Sequence, residues 1–230
     1  MAQGRHVRTS SRIKPAALII GGVVVVVAVI LVFLLKDGGG SKGPFDPGPE
    51  TPDFAFQTSK LLVVPTTAKA QTEKLRTKAK TPAADVKKIM DALYINAFLD
   101  PGNWQGASYD DVWTLFDGGS GTEAQAQVDT LTAGTGAGAA FDTILPIGTS
   151  TLKMKVLFDP KEAPYSVVAI VKFKALGAGK DGQDLQMLST GQYVFQKVDG
   201  SWKVVSFKVV RNDEQQAAAS PSPSASGSST

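Results

Sequence analysis

The stretch GQYVFQKVDGSWKVVSFKVV, residues 191–210, has the pattern of two β-strands joined by a tight turn. Apolar and polar residues alternate on both sides of Asp199-Gly200, and an Asp-Gly pair favours a two-residue hairpin turn. The cross-strand pairs expected from that turn are Lys197 with Trp202, Phe195 with Val204, and Tyr193 with Ser206. The stretch therefore predicts a long antiparallel hairpin that closes a sheet.

Two earlier segments, residues 152–158 and 165–174, alternate in the same way and predict further antiparallel strands. Helical periodicity precedes them. An apolar stripe over residues 82–99 predicts a helix, with Thr81 as its N-cap and Asp100-Pro101-Gly102 as its end. Helices before strands indicate an α+β fold rather than a βαβ repeat.

Weaker signals surround that helix. Residues 66–80 predict a second, mostly polar helix, and another is expected to begin at Ser108. Thr122 with Gln125 has the spacing of a capping box. The glycine-rich GTGAGAA that follows is interpreted as a flexible connector to the strands.

The apolar segment PAALIIGGVVVVVAVILVFLL, residues 15–35, carries no charge and is long enough to cross about 30 Å of hydrocarbon as a helix. A cleaved secretory signal would have a shorter apolar core and a small-residue cleavage site, so a retained anchor is favoured. Four basic residues precede the segment, and the positive-inside rule puts the N-terminus in the cytoplasm. The sequence thus predicts a single-pass protein of the cell membrane, with its C-terminal part extracytoplasmic.

The predicted organisation has five parts. They are a basic cytoplasmic leader, residues 1–14; the transmembrane helix, 15–35; a Gly/Pro-rich linker, 36–53; an extracytoplasmic α+β domain, 54–213; and a Ser/Pro/Ala-rich disordered tail, 214–230.

The closing hairpin resembles that of the nuclear transport factor 2-like superfamily, which includes the SnoaL-like and ketosteroid-isomerase-like proteins. The residues that carry the resemblance are Gly191, Tyr193, Phe195, Lys197, Asp199, Gly200, Trp202, Lys203, Val204, Val205 and Phe207. The resemblance implies a cone-shaped domain in which helices pack on a curved antiparallel sheet. With its predicted anchor and linker, the chain is also similar to bacterial Mce-associated membrane proteins and to assembly components of type IV secretion machines.

Composition excludes several kinds of chemistry. The chain has no cysteine, and its one histidine, His6, lies in the leader, so the domain can hold no His-based triad and no Cys- or His-ligated zinc. Four of the 24 basic residues precede the apolar segment, which leaves 20 against all 21 acidic residues. This near-neutral balance disfavours nucleic acid as a partner. The sequence predicts no metal site and no cofactor.

In enzymes of this superfamily the resemblance implies a pocket with a carboxylate base. The weak catalytic candidates in this chain are Asp100, Asp111 and Tyr94. Each has an alternative explanation, because Asp111 lies in the first turn of a helix, where acids are favoured, and Asp100 precedes a proline in a turn.

Two groups of residues are candidates for binding. Lys153, Lys155, Lys172 and Lys174 are expected to form a basic stripe on one face of the sheet, which could meet anionic lipid, wall polymers or an acidic partner. The alternative is an ordinary solvated sheet face. Trp104, Tyr109 and Trp113 could line a pocket mouth, although core packing is commoner for such residues.

The sequence therefore predicts a membrane-anchored, extracytoplasmic, non-catalytic binding or assembly module of the bacterial envelope, associated with transport or secretion. Its expected partner is an envelope protein or a second copy of the chain. The alternative is a small-molecule or lipid binder, or a carboxylate-based isomerase- or dehydratase-like enzyme, that uses the interior of the cone.

Overall fold

A computed structural model describes residues 50–66 and 72–216. All of them belong to one unit, residues 48–230. The predicted leader, the predicted transmembrane segment and most of the predicted linker and tail lie outside the described residues. No helix among the described residues is both long and apolar enough to cross a bilayer.

The described chain is an α+β domain whose helices precede its long strands, as the sequence predicts. The helices are α1 (Thr72–Tyr94), which continues into a π-helical turn (Ile95–Leu99), α2 (Pro101–Trp104), α3 (Asp110–Trp113), α4 (Gly118–Ala126), α5 (Val128–Leu131) and α6 (Ala137–Ala140). The strands are β1 (Gln57–Thr58), β2 (Leu62–Val64), β3 (Phe141–Pro146), β4 (Thr151–Phe158), β5 (Pro164–Gly179), β6 (Asp184–Val198) and β7 (Ser201–Gln216).

The strands form one seven-stranded curved sheet. Its main order is β1-β4-β5-β6-β7; β2 also pairs with β4, and β3 pairs with β5. Strands β4 to β7 are antiparallel neighbours, whereas β1 and β2 run parallel to β4. Because side chains alternate along a strand, the sheet has one buried inner face, against the helices, and one outer face.

Helix α1 passes straight through Pro82, so the prediction of two helices separated at Thr81 is wrong. The reason is a continuous apolar stripe, which contains Leu75, Ala79, Ala83, Val86, Met90 and Leu93. This stripe buries both halves of the helix against β4 and β5, and Pro82 itself is buried on the packed side. Tertiary packing outweighs the cost of the proline, about 3 kcal/mol in an isolated helix.

The helix ends at Leu99, as the Asp-Pro-Gly sequence predicts. Its last turn is π-helical, and Asp100 then caps α2 by accepting a hydrogen bond from the Gly102 N–H at 2.9 Å. Tyr94 and Phe98 both lie on the interior side, where their rings stack with centroids 5.4 Å apart.

Two further local predictions are corrected. Helix α4 begins one turn before Thr122, because Asp117 is its N-cap and accepts the Ser120 N–H at 2.7 Å. Thr122 lies inside that helix and its hydroxyl donates to the Gly118 carbonyl. The segment interpreted as a flexible connector contains the short helix α6.

The closing hairpin has the predicted turn, with φ of 50° at Asp199 and 82° at Gly200. Lys197 lies opposite Trp202, and Phe195 lies opposite Val204. A β-bulge then shifts the register, so that Tyr193 pairs with Phe207 rather than with Ser206. The bulge puts the Tyr193 and Phe207 rings on the same inner face, with centroids 6.4 Å apart. Strand β7 also continues to Gln216, past the predicted domain boundary at residue 213.

Candidate functional site: a filled interior and two opposed surfaces

The space between α1 and the sheet is filled by aromatic side chains. Tyr94 is fully buried, and its ring lies 4.9 Å from that of Phe173 on β5 and 5.1 Å from that of Phe56. Phe98 packs on Phe173 at 5.0 Å. The Phe56 backbone N–H is held on α1 by the Asp91 carboxylate at 2.9 Å. The space between α1 and the sheet is therefore occupied by the protein's own rings.

Three hydroxyl groups form a polar network inside this aromatic core. The Tyr94 hydroxyl lies 3.0 Å from Ser189 Oγ and 3.3 Å from the Tyr193 hydroxyl. Burial raises the pKa of Tyr94 to about 12, although its hydrogen bonds to Ser189 and Tyr193 act in the opposite direction. Burial also raises the pKa of Tyr193 well above its usual value, and the neighbouring Tyr94 adds to the effect. Both phenols are therefore neutral at physiological pH.

The two candidate carboxylates lie outside this interior. Asp100 Oδ1 accepts hydrogen bonds from the Gly102 N–H and, at 3.3 Å, from the Thr51 hydroxyl. Asp111 is exposed in the first turn of α3. The Tyr94 hydroxyl bonds to neither Asp100 nor Asp111, and instead bonds to Ser189 and Tyr193. Among residues 50–66 and 72–216, no aspartate or glutamate is buried, and no group of three potential metal ligands is found.

The four lysines proposed as a basic stripe lie together on the outer face of the sheet. In the β4–β5 register, Lys153 is opposite Ile170, and Lys172 is opposite Thr151. Lys155 and Lys174 extend the row along the same two strands and are half-buried. Val168, Ile170 and Val194, also half-buried, are neighbours on this face. In the described part of the chain, the four ammonium groups form no ion pair.

The three residues proposed as a pocket mouth are not equivalent. Trp104 is fully buried, and its indole N–H has no hydrogen-bond partner in the described protein. Tyr109 is also buried, at 2% exposed, but its ring and that of the half-buried Trp113 border a surface groove of about 370 Å³, with centroids 6.4 Å apart. The groove is lined by Ala107, Ser108, Tyr109, Asp110, Trp113, Gln125 and Val128.

Tyr109 anchors this groove to the rest of the domain. Its hydroxyl donates to the Gly134 carbonyl at 2.9 Å, and burial raises its pKa. Trp113 is half-buried and continues the aromatic packing to Phe116 at 6.2 Å. Phe116 in turn packs on Phe207 of β7 at 5.7 Å. The groove wall is therefore continuous with the aromatic core.

The acidic charge of this region is not among the sequence-based predictions, although its signal is present in the sequence. Residues 89–152 contain eight acidic residues and no lysine or arginine. The eight are Asp91, Asp100, Asp110, Asp111, Asp117, Glu123, Asp129 and Asp142. A whole-chain count hides this segregation, because the lysines of α1 and of the strands balance it.

No protein-family model matches the chain, and no curated protein matches it. Among solved structures, the chain is similar to the crystal structure of a hexachlorocyclohexane dehydrochlorinase (LinA), type 2. The two share 13% identity, the match covers 64% of this chain and 99% of the other, and the TM-score is 0.41. At this level of similarity no activity and no residue role is transferred.

Proposed function

We propose that the protein is a single-pass, membrane-anchored module of the bacterial envelope. Its extracytoplasmic domain would bind or assemble partners without catalysis, in association with transport or secretion. The uncharged residues 15–35 and the basic residues before them support the anchor and its orientation. The Gly/Pro-rich linker would give the domain reach from the membrane.

The observation that carries the non-catalytic proposal is the filled interior. Tyr94, Phe98, Phe173 and Tyr193 are each no more than 1% exposed and pack on one another. Small-molecule sites are normally concave pockets of about 300–1,000 Å³ with convergent polar groups. The hydroxyls of Tyr94, Tyr193 and Ser189 are instead satisfied by one another.

The alternative function, a carboxylate-based enzyme or a lipid binder in the cone interior, has less support. It would require an acid with a raised pKa facing a ligand space. Asp100 is used as a helix cap, and Asp111 is exposed in the first turn of α3.

The outer face of the sheet is the proposed partner surface. It combines half-buried apolar residues at Val168, Ile170 and Val194 with lysines 153, 155, 172 and 174, which form no ion pair with any residue that the structure describes. A mixed apolar and basic face suits an acidic protein partner, since the apolar part supplies burial and the charges supply orientation.

The anchor is tested by fractionation of cells that express the full-length chain. We expect the protein in the membrane fraction, and we expect external protease to digest the domain in spheroplasts. Deletion of residues 15–35 should abolish membrane retention. Recovery of the intact chain in the soluble fraction would contradict the anchor.

The partner surface is tested by a photo-crosslinking amino acid at position 172 of the full-length chain in cells. We expect a discrete adduct that is lost when K153E and K155E are introduced. The control position is Lys88, which is exposed on α1. Equal adduct patterns at positions 172 and 88, or none at 172, would refute the outer face as the partner surface.

A further inference from the structure

The groove beside Tyr109 and Trp113 lies within the acidic segment of residues 89–152, on the helical side of the domain rather than on the sheet. Asp110 lines the groove and is exposed, and Asp111 follows it on the same short helix, α3. Within residues 50–66 and 72–216, the Asp110 side chain accepts one hydrogen bond, a long one of 3.4 Å from the Ser108 hydroxyl. In the described protein no lysine or arginine forms an ion pair with Asp110. An unneutralised carboxylate is thus placed at the rim of an aromatic groove.

The aromatic wall adds a second kind of attraction for a cation. The Trp113 side chain is half-buried, and the Tyr109 ring meets it at an angle of 66°. Trp is the side chain whose ring face attracts a cation most strongly, and a nearby carboxylate adds a charge-assisted hydrogen bond. Arginine satisfies both interactions at once, because its flat guanidinium stacks on rings while its N–H groups bind carboxylates.

One arginine of the chain already shows how this segment accommodates a cation. Arg211 on β7 reaches α5, and its Nη1 donates to the carbonyls of Thr132 at 2.6 Å and of Asp129 at 3.0 Å. Its guanidinium also pairs with Asp213 and lies 5.9 Å from the Phe98 ring centroid. Arg211 is thereby committed to the domain itself and leaves Asp110 available.

We propose that this groove binds a lysine or arginine side chain from a basic segment of a partner polypeptide. A polypeptide fits better than a free small molecule, because the groove is open to the surface and several of its lining residues, Ser108, Asp110 and Gln125 among them, are exposed. A small-molecule site usually buries roughly 70–90% of the ligand's surface. Such an open groove does not provide that burial. A peptide obtains its remaining contacts from the surrounding acidic surface.

The binding is measured with the full-length protein in non-ionic detergent, by titration with penta-arginine at low ionic strength and observation of tryptophan fluorescence. Penta-citrulline is the matched probe, since it keeps the shape of arginine and lacks its charge. We expect penta-arginine to bind, penta-citrulline not to bind, and added salt to weaken the interaction.

Two variants distinguish binding in the groove from general electrostatic attraction to the acidic surface. D110N removes the lining carboxylate and should weaken penta-arginine binding about two- to five-fold. D142N removes one charge from the same acidic segment at an exposed position outside the groove and should weaken it far less. W113L should also weaken penta-arginine binding about two- to five-fold, provided that its unfolding curve shows a folded protein.

Equal losses of penta-arginine affinity for D110N and D142N would overturn the groove as the binding site. They would indicate non-specific attraction to the acidic surface instead. Failure of penta-arginine to bind at low salt would overturn the proposal outright. If tetramethylammonium bound as tightly as the peptide, with the same dependence on Asp110, the ligand of the groove would be a small cation and not a polypeptide. None of these outcomes bears on the membrane anchor or on the lysine stripe, so the two proposals fail separately.

Discussion

The phenolic oxygens of Tyr94 and Tyr193 lie 3.3 Å apart, although 99 positions separate the two residues in the chain. The contact joins helix α1 to strand β6 through the middle of the aromatic core. Because Ser189 Oγ also bonds to Tyr94, the Tyr94 hydroxyl is the centre of the network and Tyr193 is one of its ends. This asymmetry allows the two tyrosines to be distinguished by mutation.

Y94F should destabilise the domain more than Y193F. Loss of the Tyr94 hydroxyl leaves both Ser189 and Tyr193 without a partner in a buried site, which costs about 1–3 kcal/mol. Y193F leaves the Tyr94–Ser189 bond intact and should cost about 0.5–1.5 kcal/mol. Urea unfolding of a fragment of residues 50–216 measures both values. A larger loss for Y193F would show that the network is not centred on Tyr94.

The same network predicts a loss of stability at alkaline pH. The folded-state pKa of Tyr94, about 12, lies above the value of about 10 in the unfolded chain. The unfolded chain therefore loses its proton first, and the free energy of unfolding falls as pH rises from about 10 to about 12. Two pKa units correspond to about 3 kcal/mol.

The control for the alkaline effect is Y94F, in which this contribution is removed while every other ionisable side chain is retained. Urea unfolding at several pH values should give a shallower pH dependence for Y94F than for the unmodified chain. Superimposable pH profiles would mean that Tyr94 is not the buried phenol responsible.

Gly191 is predicted to be intolerant of any side chain, for a reason specific to β6. A Cβ at this position would lie 2.3 Å from the Lys208 carbonyl oxygen and 2.7 Å from Val209 Cα, both backbone atoms of β7. G191A should therefore separate the two strands and cost about 1–3 kcal/mol or more.

The matched control for G191A is G118A, because nothing lies within 4 Å of a Cβ built at Gly118 in α4. The G118A variant should unfold within about 0.5 kcal/mol of the unmodified chain. Thermal or urea unfolding measures both variants, and equal stabilities would disprove the close approach of β6 and β7.

The sequence predicts the long strands well because their signals are local. Alternation and the turn residues Asp199-Gly200 specify β6, β7 and the start of their register. The bulge near Val204 was not predictable in the same way. It coincides with non-local contacts, in which the Asp117 N–H bonds to the Val204 carbonyl and the Val204 N–H bonds to the Leu115 carbonyl. The parallel additions β1 and β2 likewise depend on partners far away in the chain.

The candidate site was less accessible from sequence than the fold. Residue type identified Tyr94 and Trp113 as candidates but could not show that Tyr94 faces only other hydroxyls while Trp113 reaches the surface. Helical periodicity is compatible with both positions. The local segregation of charge around Asp110 was readable, but it acquires meaning only when the aromatic groove is seen beside it.

Asp117 provides the last prediction, because it joins helix α4 to the bulge of β7. Its Oδ1 accepts the Ser120 N–H at 2.7 Å and the Ser120 hydroxyl at 2.5 Å, and that hydroxyl also reaches the Val204 carbonyl. D117A should cost about 0.5–2 kcal/mol in urea unfolding, through loss of the N-cap.

The contribution of Asp117 to the stability of the domain should also depend on pH in the acidic range. The hydrogen bonds from Ser120 hold the pKa of Asp117 below its usual value, so the folded chain keeps the carboxylate ionised longer than the unfolded chain does. The stabilisation is present above the unfolded pKa of about 4 and disappears as pH falls through the lower folded value. D117S, which can still accept the Ser120 N–H, should retain most of the stability at neutral pH and lose this acid dependence. If D117A and D117S proved equally unstable at neutral pH, the carboxylate itself rather than the cap would hold α4 against the bulge.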